Sequence, residues 1–589
     1  TRGPRSGHCE SGVVEPRFMS RGQLDLSRAP RRCELGLSEA RACDRELPLH
    51  VKNVGGSIRV DIAREALPGS DEAWDLWNKA RDYLTDIKQY EGCTNPNIRG
   101  AEDLPVAAFS DSQVEKMIAA GTMRVVPPKE FEEWLHDGGG VGSVIGFTRP
   151  EHLDCEKARL RPIRWTVDAN RGISRDFLFA PPPCTRDAVR GAGLDFRFGA
   201  ALDGKGYFDM FGLHPDLHRL FLFRKADGAI IAATVLAMGF RLASDVGTAF
   251  MRLLADPTEL FAGMSQPGRV DANADNVRIM HSSKEDTVTA VQRFLLRCRL
   301  AGCHLNEVDV FGSDLLREAE SVVRDVVDFF GEVLNLKAKT SRAREKHKIK
   351  AVEVTSYLRN AGRTALWRSL IGAIALGLWS APIFRIDLAT LGDLFLVLQI
   401  FGREVAEDSS LWDHECGAPD SVLERVCHVL EPLAKNDDTA IDQRLRRATP
   451  FQVLIVDACA GGWGAFSVRP QNGSVRTFRA RWAERVQHSA QGEPAGIEAA
   501  VRASVPRDAT GTVRIWTDHR SFPGAWRRQR SYANHINEVI LRLRRDFPGV
   551  DFDLRYIPGT DNPADGISRD LEPTDADFVN AIRIACAPG

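Results

Sequence analysis

Acidic residues recur in the last third of the chain where apolar segments or turns end. The four that stand out are Asp457, Glu498, Asp518 and Asp565. The apolar segments Phe451–Val456 and Val513–Thr517 read as strands, and each is followed directly by an aspartate. Carboxylates gathered from strand ends supply the oxygen ligands that hard divalent cations prefer, and two such cations can promote phosphodiester cleavage. The order therefore predicts an α/β domain with a site for two cations.

Composition limits the remaining possibilities. A chain of 589 residues is too long for one core, so about three to five domains are expected. Hydrophobic content of 43% and charged content of 27% are typical of globular proteins. The formal net charge is −2, so any surface that binds nucleic acid must be a local basic patch. The twelve cysteines form no CxxC pair and no zinc-type spacing, which predicts a reduced protein of the cytoplasm or nucleus.

One apolar segment needs separate consideration. Leu370–Phe384 is uncharged, but arginines bracket it and a bilayer crossing needs about 20 residues. It is therefore predicted to be a buried helix, and no membrane partner is expected. The chain begins with Thr1, which suggests a piece of a longer polyprotein. The sequence leaves the oligomeric state open.

Local patterns place several helices before the last domain. The segment from Ser110 resembles a capped helix start, with Ser110 or Asp111 as the cap, and Ala73–Tyr90 looks helical. A clear helix is expected from about Lys284 to Leu300. Ser282 and Glu285 have capping-box spacing at its start, and Gly302 is placed to end it.

Three segments of the last domain carry a family resemblance. DACAGGWGAF, IWTDHRSF and IPGTDNPADGISRD resemble the ribonuclease H domain of retroelement polymerases. The resemblance implies an Asp-Glu-Asp-Asp set that binds two Mg²⁺, or Mn²⁺, and cuts the RNA strand of an RNA–DNA hybrid. By match, the ligands would be Asp457, Glu498, Asp518 and Asp565, although Glu493 lies close to Glu498. His519 follows the third ligand and could contact a phosphate.

Such a domain implies a preceding reverse transcriptase. The segment from Ala200 to Asp216 is similar to the first palm motif, with Asp203 as a metal ligand. Phe208 matches the aromatic residue that excludes the ribose 2′-OH, and Phe221–Arg224 would be the partner strand. Gly239 matches the second motif, where glycine lets the backbone approach the nucleotide.

The third palm motif departs from the family pattern. The family has two adjacent aspartates on a tight hairpin, whereas this chain has Asp275 followed by Asn276. Asparagine can ligate a metal through its carbonyl but brings no charge. Asp203 and Asp275 still supply two carboxylates, which are sufficient for a two-ion site.

Basic segments extend the resemblance. The strand near Arg161 is like the fingers strand that faces the triphosphate, and Arg161 is the expected contact because arginine offers several planar donors. The basic run Ser341–Lys350 would follow the hybrid backbone in a thumb, or else form a solvated helix face.

Together these features predict a multidomain α/β and α+β chain with fingers, palm and thumb followed by a ribonuclease H-like domain. The expected divisions are an N-terminal extension of uncertain fold (1–105), fingers and palm (106–335), helical thumb or connection (336–445), ribonuclease H-like domain (446–575) and tail (576–589). The expected partners are an RNA template, a DNA primer, an RNA–DNA hybrid and dNTPs. The Asp-Asn motif most resembles tyrosine-recombinase retroelements, namely the DIRS-like, VIPER-like and trypanosomatid telomere-associated elements.

Two other functions stay open at this stage. Asn276 is compatible with a decayed copy that keeps only nucleic-acid binding. It is also compatible with a chain in which only the nuclease is active, since the four acids of the last domain match their motif.

Overall fold

The computed structural model describes residues 54–137, 139–150, 160–173, 186–442, 450–486, 488–531 and 533–586. The predictions for the first 53 residues therefore fall outside the described part of the chain. In chain order the helices are α1 (Asp71–Thr85), α2 (Asp111–Ala119), α3 (Pro128–His136), α4 (Val167–Gly172), α5 (Arg186–Ala192), α6 (Ala243–Leu254), α7 (Pro257–Leu260), α8 (Lys284–Ala301), α9 (Leu315–Val322), α10 (Glu345–Ala361), α11 (Trp367–Ser380), α12 (Gly392–Glu407), α13 (Asp420–Lys435), α14 (Ser489–Ser504), α15 (Ser521–Arg527), α16 (Asn534–Asp546), α17 (Asp565–Ser568) and α18 (Asp575–Cys586).

The strands form several small sheets and one larger sheet. In chain order they are β1 (Met123–Val126), β2 (Val144–Pro150), β3 (Leu160–Thr166), β4 (Phe198–Asp203), β5 (Leu222–Arg224), β6 (Ile230–Ala233), β7 (Arg269–Asn273), β8 (Asn276–His281), β9 (Val326–Phe329), β10 (Glu332–Asn335), β11 (Thr340–Ala343), β12 (Thr439–Ala440), β13 (Gln452–Ala458), β14 (Gly462–Arg469), β15 (Ser474–Arg481), β16 (Gly511–Thr517) and β17 (Val550–Tyr556). The sheet orders are β1-β6-β5, β2-β3, β4-β8-β7, β12-β11-β10-β9 and β15-β14-β13-β16-β17.

The described N-terminal residues belong to the core of the first half. Helix α1 begins after Ser70, whose hydroxyl accepts a hydrogen bond from the Ala73 amide. Its buried face carries Trp77, and the Trp77 ring lies 4.8 Å from the Phe250 ring of α6. The helix expected near Ala73–Tyr90 ends at Thr85 and continues as a short 3₁₀ turn. Residues of this segment therefore pack directly on α6.

The strand that carries Asp203 pairs differently from the sequence prediction. Phe221–Arg224 was expected to be its partner, but β5 pairs with β6 in another sheet. The partner of β4 is β8, with Asp203 opposite Asn276. Two 3₁₀ turns, Tyr207–Met210 and Pro215–Leu220, separate β4 from β5 and lead the chain to the second sheet.

The predicted extent of α8 is confirmed, but its N-cap differs from the predicted one. The N-cap is Ser283, one residue after the expected Ser282, and its hydroxyl accepts from the Asp286 amide at 3.2 Å. Gly302 ends the helix with φ 76°, in the left-handed region that glycine adopts without strain. The apolar face of the helix, which includes Val288 and Leu295, is buried.

Residues 345–435 are mainly helical, from α10 to α13. The apolar segment Leu370–Phe384 contributes to α11, a helix of 14 residues that buries Leu370 and Ile374. Among the helices of the described residues, none has the length and apolar character that crossing a membrane would require.

The last domain is organised by one mixed sheet. Strands β13, β14 and β15 are antiparallel neighbours, whereas β16 and β17 continue the sheet in parallel with β13. Helices α14 and α16 cover one face through Ile497 and Ile540, and α17 and α18 cover the other through Ile567 and Ala581. This is a ribonuclease H-like arrangement, and the predicted multidomain α/β and α+β fold class is confirmed.

Candidate catalytic sites

Asp457 lies at the end of the central strand β13 and is 4% exposed. Its neighbour across the sheet is Gly464 on β14. A Cβ at Gly464 would lie 2.5 Å from the backbone nitrogen of Ser568, so glycine lets α17 lie against the strand. The Ser568 hydroxyl donates to Asp457 Oδ2 at 2.5 Å. The sheet and α17, which also carries Asp565, therefore meet at Asp457.

Glu493 and Asp518 complete a group that we call the acidic triad: Asp457, Glu493 and Asp518. One carboxylate oxygen from each residue lies within 4.8 Å of the other two. Glu493 comes from α14 and is 6% exposed. Small residues let α14 approach the sheet, since a Cβ at Gly496 would lie 3.0 Å from the Ala458 Cβ. Asp518 follows β16, the parallel neighbour of β13.

The pKa values of the triad are raised. Burial raises the pKa of Glu493 to about 9, and the charges of Asp518 and Asp457 add to the effect. Burial also raises the pKa of Asp457 to about 6, although the Ser568 hydrogen bond opposes it. The pKa of Asp518 is raised by burial and by the charge of Asp565. Carboxylates that repel one another in a buried place gain stability when a cation joins them.

The donor atoms also fit a cation. Glu493 Oε2 and Asp518 Oδ1 are buried and have no hydrogen-bond partner among the described residues. Buried polar atoms are usually paired, so two unpaired oxygens within one cluster of carboxylates indicate a missing ligand. All donors of the triad are carboxylate oxygens, which suit hard divalent cations. The residues of the acidic triad therefore fit a divalent metal ion.

The expectation for Glu498 is wrong. Glu498 does not face Asp457 but accepts hydrogen bonds from Arg502 at 2.9 Å and from Arg542 at 2.8 Å. Burial acts to raise its pKa, but the two arginines outweigh burial and the pKa is lowered. Glu493, five residues earlier on α14, takes the position in the site. Five residues turn a helix by about 140°, so the two glutamates cannot face the same ligand.

Asp565 lies at the edge of the triad. It is the first residue of α17, its side chain is 47% exposed, and Arg569 one turn later pairs with it at 2.7 Å. Its charge contributes to the raised pKa of both Asp457 and Asp518. Asp565 is therefore close enough to act on the triad, from a more solvated position.

His519 has a structural contact in addition to its place beside Asp518. Its Nδ1 accepts a hydrogen bond from the Phe522 amide at 3.0 Å at the start of α15. Burial lowers its pKa, which favours the neutral ring with the proton on Nε2. A contact with a ligand would therefore use Nε2 as a donor.

The expected hairpin of the first half is present between β7 and β8. Its two-residue turn is Ala274-Asp275, with Ala274 at φ 50°. The Gly204 amide donates to the Asp275 carbonyl at 2.8 Å, which ties the hairpin to the end of β4. Asp203, Asp275 and Asn276, which we call the palm site, therefore lie together at one end of this sheet.

The side chains of the palm site are hydrogen-bonded to one another and to a following loop. Asn276 Nδ2 donates to Asp275 Oδ1 at 2.9 Å. Asn306 Nδ2 donates to Asp203 Oδ2 at 2.6 Å, and the Asp203 amide donates to Glu307 Oε2 at 2.9 Å. Sequence reasoning missed Asn306 and Glu307, because they follow α8 and no motif marks them.

The three remaining residues are placed as follows. Phe208 lies in the 3₁₀ turn after β4, with its ring 5.9 Å from that of Tyr207. Gly239 lies against β3, since a Cβ there would lie 2.5 Å from the Arg164 carbonyl oxygen. The close approach of this backbone therefore explains why glycine is required at position 239, and no contact with a nucleotide is needed to explain it. Arg161 lies on β3, and its side chain falls outside the described part of the structure.

No family model and no curated protein matches the chain. Solved structures of foamy viral protease-reverse transcriptase are similar to it. The dRH form in complex with double-stranded DNA is 10% identical with a TM-score of 0.40, covering 87% of this chain and 84% of that chain. A complex with an RNA/DNA hybrid is 12% identical (TM-score 0.38; 87% and 64%), and one with double-stranded DNA is 11% identical (TM-score 0.37; 87% and 99%).

Proposed function

We propose that the last domain is a ribonuclease that cuts the RNA strand of an RNA–DNA hybrid. The observation that carries this proposal is the acidic triad, with its two unpaired buried oxygens, at the end of the central strand. The proposed metal is Mg²⁺, with Mn²⁺ as the alternative. Two such ions, when bound, would activate a water and stabilise the departing oxygen in an in-line displacement.

The protein groups have distinct roles in this proposal. Asp457, between the other acids, holds the metal site to the sheet, and Glu493 and Asp518 supply the remaining buried oxygens. Asp565 completes the set from the solvent side. The Nε2–H of His519 would donate to a phosphate oxygen, since Nδ1 already accepts from the Phe522 amide at the start of α15.

We propose that the first half is an RNA-directed DNA polymerase. Asp203 and Asp275, with the Asn276 carbonyl, are the proposed metal ligands, and RNA template, DNA primer and dNTPs are the proposed substrates. Phe208 would exclude the ribose 2′-OH and Arg161 would contact the triphosphate. The juxtaposition of Asp203 with the tight hairpin supports this reading.

The finer assignments are proposals of the same kind. We propose that the chain derives from a retroelement, of the tyrosine-recombinase group, and acts in the cytoplasm or nucleus. The proposed divisions are fingers and palm (106–335), thumb or connection (336–445), ribonuclease H domain (446–575) and tail (576–589), after an N-terminal segment (1–105) whose described part packs on the palm.

Two substitutions test whether the activities belong to separate sites. Asp203→Ala should abolish primer extension on an RNA template and spare hybrid cleavage, whereas Asp457→Asn should do the reverse. Asp575→Asn, which changes an exposed acid of α18, is the control that should leave both activities intact. Loss of both activities from either site variant, in folded protein, would contradict two separate sites.

A second function, nuclease without polymerase, is favoured by one contact. The Asn276 amide donates to Asp275 Oδ1, so this asparagine uses one lone pair of that oxygen and adds no negative charge to the site, unlike the aspartate of the family motif. Primer extension by the native chain with Mg²⁺ or Mn²⁺ would exclude this function. Failure to extend, together with recovery in Asn276→Asp, would establish it when hybrid cleavage is present.

A further inference from the structure

The short helix α17 and the residues before it reach Asp457 with two side chains that are not acidic. Ser568 donates its hydroxyl to Asp457 Oδ2 at 2.5 Å. Asn562 Nδ2 lies 3.5 Å from Asp457 Oδ1 and donates to the Val456 carbonyl at 3.1 Å. Each carboxylate oxygen of Asp457 therefore has a side-chain donor, and the two donors lie three residues before and three residues after Asp565.

Both donors are fixed in place. Asn562 and Ser568 are each 5% exposed. Asn562 Oδ1 accepts from the Ala564 amide at 3.1 Å, and the Ser568 amide donates to the Ala564 carbonyl at 3.0 Å. The close approach at Gly464 brings this turn of helix against β14. The donors are thus held by backbone geometry and do not depend on long flexible side chains.

We propose that Ser568 is a positioning residue that holds Asp457 in the orientation required for a divalent cation, with Asn562 as a weaker second support. The inference rests on the proposed nuclease function of the acidic triad. A carboxylate oxygen has two lone pairs, so the hydroxyl can occupy one and leave the other for a metal ion. Such outer contacts set ligand orientation, and their loss typically costs about 10–100-fold in metal affinity or activity.

The same turn of helix couples two ligands. Asp565 begins α17 and Ser568 ends it, and the Ser568 hydroxyl also lies 2.9 Å from the Asp565 carbonyl. A hydroxyl has one proton, so Ser568 donates either to Asp457 or to this carbonyl. The shorter contact is the one to Asp457, which favours the orientation that holds the metal ligand.

The test compares Ser568→Ala with Ser568→Thr in the full chain. Alanine removes the donor at nearly constant volume, whereas threonine keeps a hydroxyl. We expect Ser568→Ala to raise the Mg²⁺ concentration for half-maximal hybrid cleavage about tenfold, with little change in kcat at saturating Mg²⁺. Ser568→Thr should restore the native value.

The matched control is Ser467→Ala. Ser467 is also a buried serine of the same sheet, but its hydroxyl accepts from Gln452 Nε2 at 2.8 Å, away from the acids. This variant should keep the native Mg²⁺ dependence. The second readout is the Mg²⁺ concentration that half-saturates the thermal stabilisation of the chain, which does not require turnover.

The outcomes separate the inference from the function on which it rests. Native cleavage with a Ser568→Ala midpoint within about twofold of the native value would overturn the inference and leave the nuclease intact. If the native chain does not cleave, the proposed function fails, and the thermal midpoint alone decides the role of Ser568. A native chain that neither cleaves nor responds to Mg²⁺ would overturn both.

Discussion

Glu493 and Glu498 lie on the same helix, α14, but they differ in chemistry because they face partners of opposite charge. Burial raises the pKa of Glu493 to about 9, and the charges of the two other carboxylates add to the effect. Glu498 meets two arginines, which lower its pKa against the effect of burial. The same type of side chain is therefore a proposed metal ligand in one place and part of a structural ion pair in the other.

This difference gives the sharpest prediction at the residue scale. Glu493→Gln should reduce hybrid cleavage by about a hundredfold or more, because it removes a charged ligand from the reacting site. Glu498→Gln should leave cleavage within about threefold and instead lower the free energy of unfolding by about 1–3 kcal/mol, since its arginine partners lose the negative charge and one of the two acceptor oxygens. Cleavage rates and denaturant unfolding of both variants check the assignment. The reverse pattern of activity would return Glu498 to the site.

The sequence predicted where the acidic site lies, but it did not predict correctly which glutamate belongs to it. Asp457, Asp518 and Asp565 could be found because each follows a local strand or turn signal. Glu498 was assigned by its match to the family motif, although Glu493 lies close to it. The helix that carries both residues runs from Ser489 to Ser504 and turns Glu493, not Glu498, toward the other acids.

At the scale of elements, local sequence signals predicted where a helix begins and ends, but they did not predict which strands pair. Helix α8 was predicted within one residue because its caps and apolar face lie in its own sequence. The partner of β4 was predicted wrongly because pairing depends on residues about 75 positions away, which no local pattern records. The contacts of Asn306 and Glu307 with Asp203 were missed for the same reason, because they join residues that are far apart in the chain.

The packing of α10 on α11 contains a titratable group. The His347 ring lies 4.4 Å from the Trp379 ring, and burial with the nearby charges of Lys346 and Arg344 lowers the pKa of His347 to about 4. The unfolded chain takes up this proton near pH 6.5. As pH falls from about 6.5 to 4, the unfolded state binds a proton that the folded state does not bind. The free energy of unfolding therefore decreases over this window.

His347→Gln should remove that part of the acid sensitivity. Between pH 7 and pH 5 we expect the variant to lose about 1 kcal/mol less stability than the native chain, after allowance for solvent screening. Urea unfolding at the two pH values measures the difference. His428→Gln changes a 73% exposed histidine of the same helical region and should behave as the native chain does. Equal losses in the native chain and His347→Gln would show that His347 is not the sensor.

At the scale of the whole molecule, the last domain is attached to the helical region by specific contacts. Arg544 of α16 pairs with Asp387 at 2.7 Å, and the Arg530 guanidinium lies 3.6 Å from the centre of the Phe395 ring. Ala389 joins the core of the last domain. These contacts attach the last domain to the turn before α12 and to α12 itself, in the helical region whose first helix, α10, carries part of the basic run.

The charge distribution of the molecule limits which surface can bind the proposed RNA–DNA hybrid. The formal net charge is −2, so attraction to a polyanion must come from local groups such as the exposed Lys346 and Lys350 on one face of α10. Each phosphate contact contributes somewhat less than one unit to the slope of log affinity against log salt. Replacing both lysines with glutamine should therefore make the slope shallower by about 2 and weaken binding at low salt.

Anisotropy of a labelled RNA–DNA hybrid measures this slope, in an Asp457→Asn background so that the hybrid stays intact. Lys79→Gln with Lys88→Gln removes the same charge from exposed positions near α1 and should leave the slope unchanged. If the two pairs lower the slope equally, attraction depends on total charge. If neither changes it, the hybrid does not pass over α10. Only a change confined to Lys346 and Lys350 assigns α10 to the hybrid path, because net charge is then the same in both variants and position alone differs.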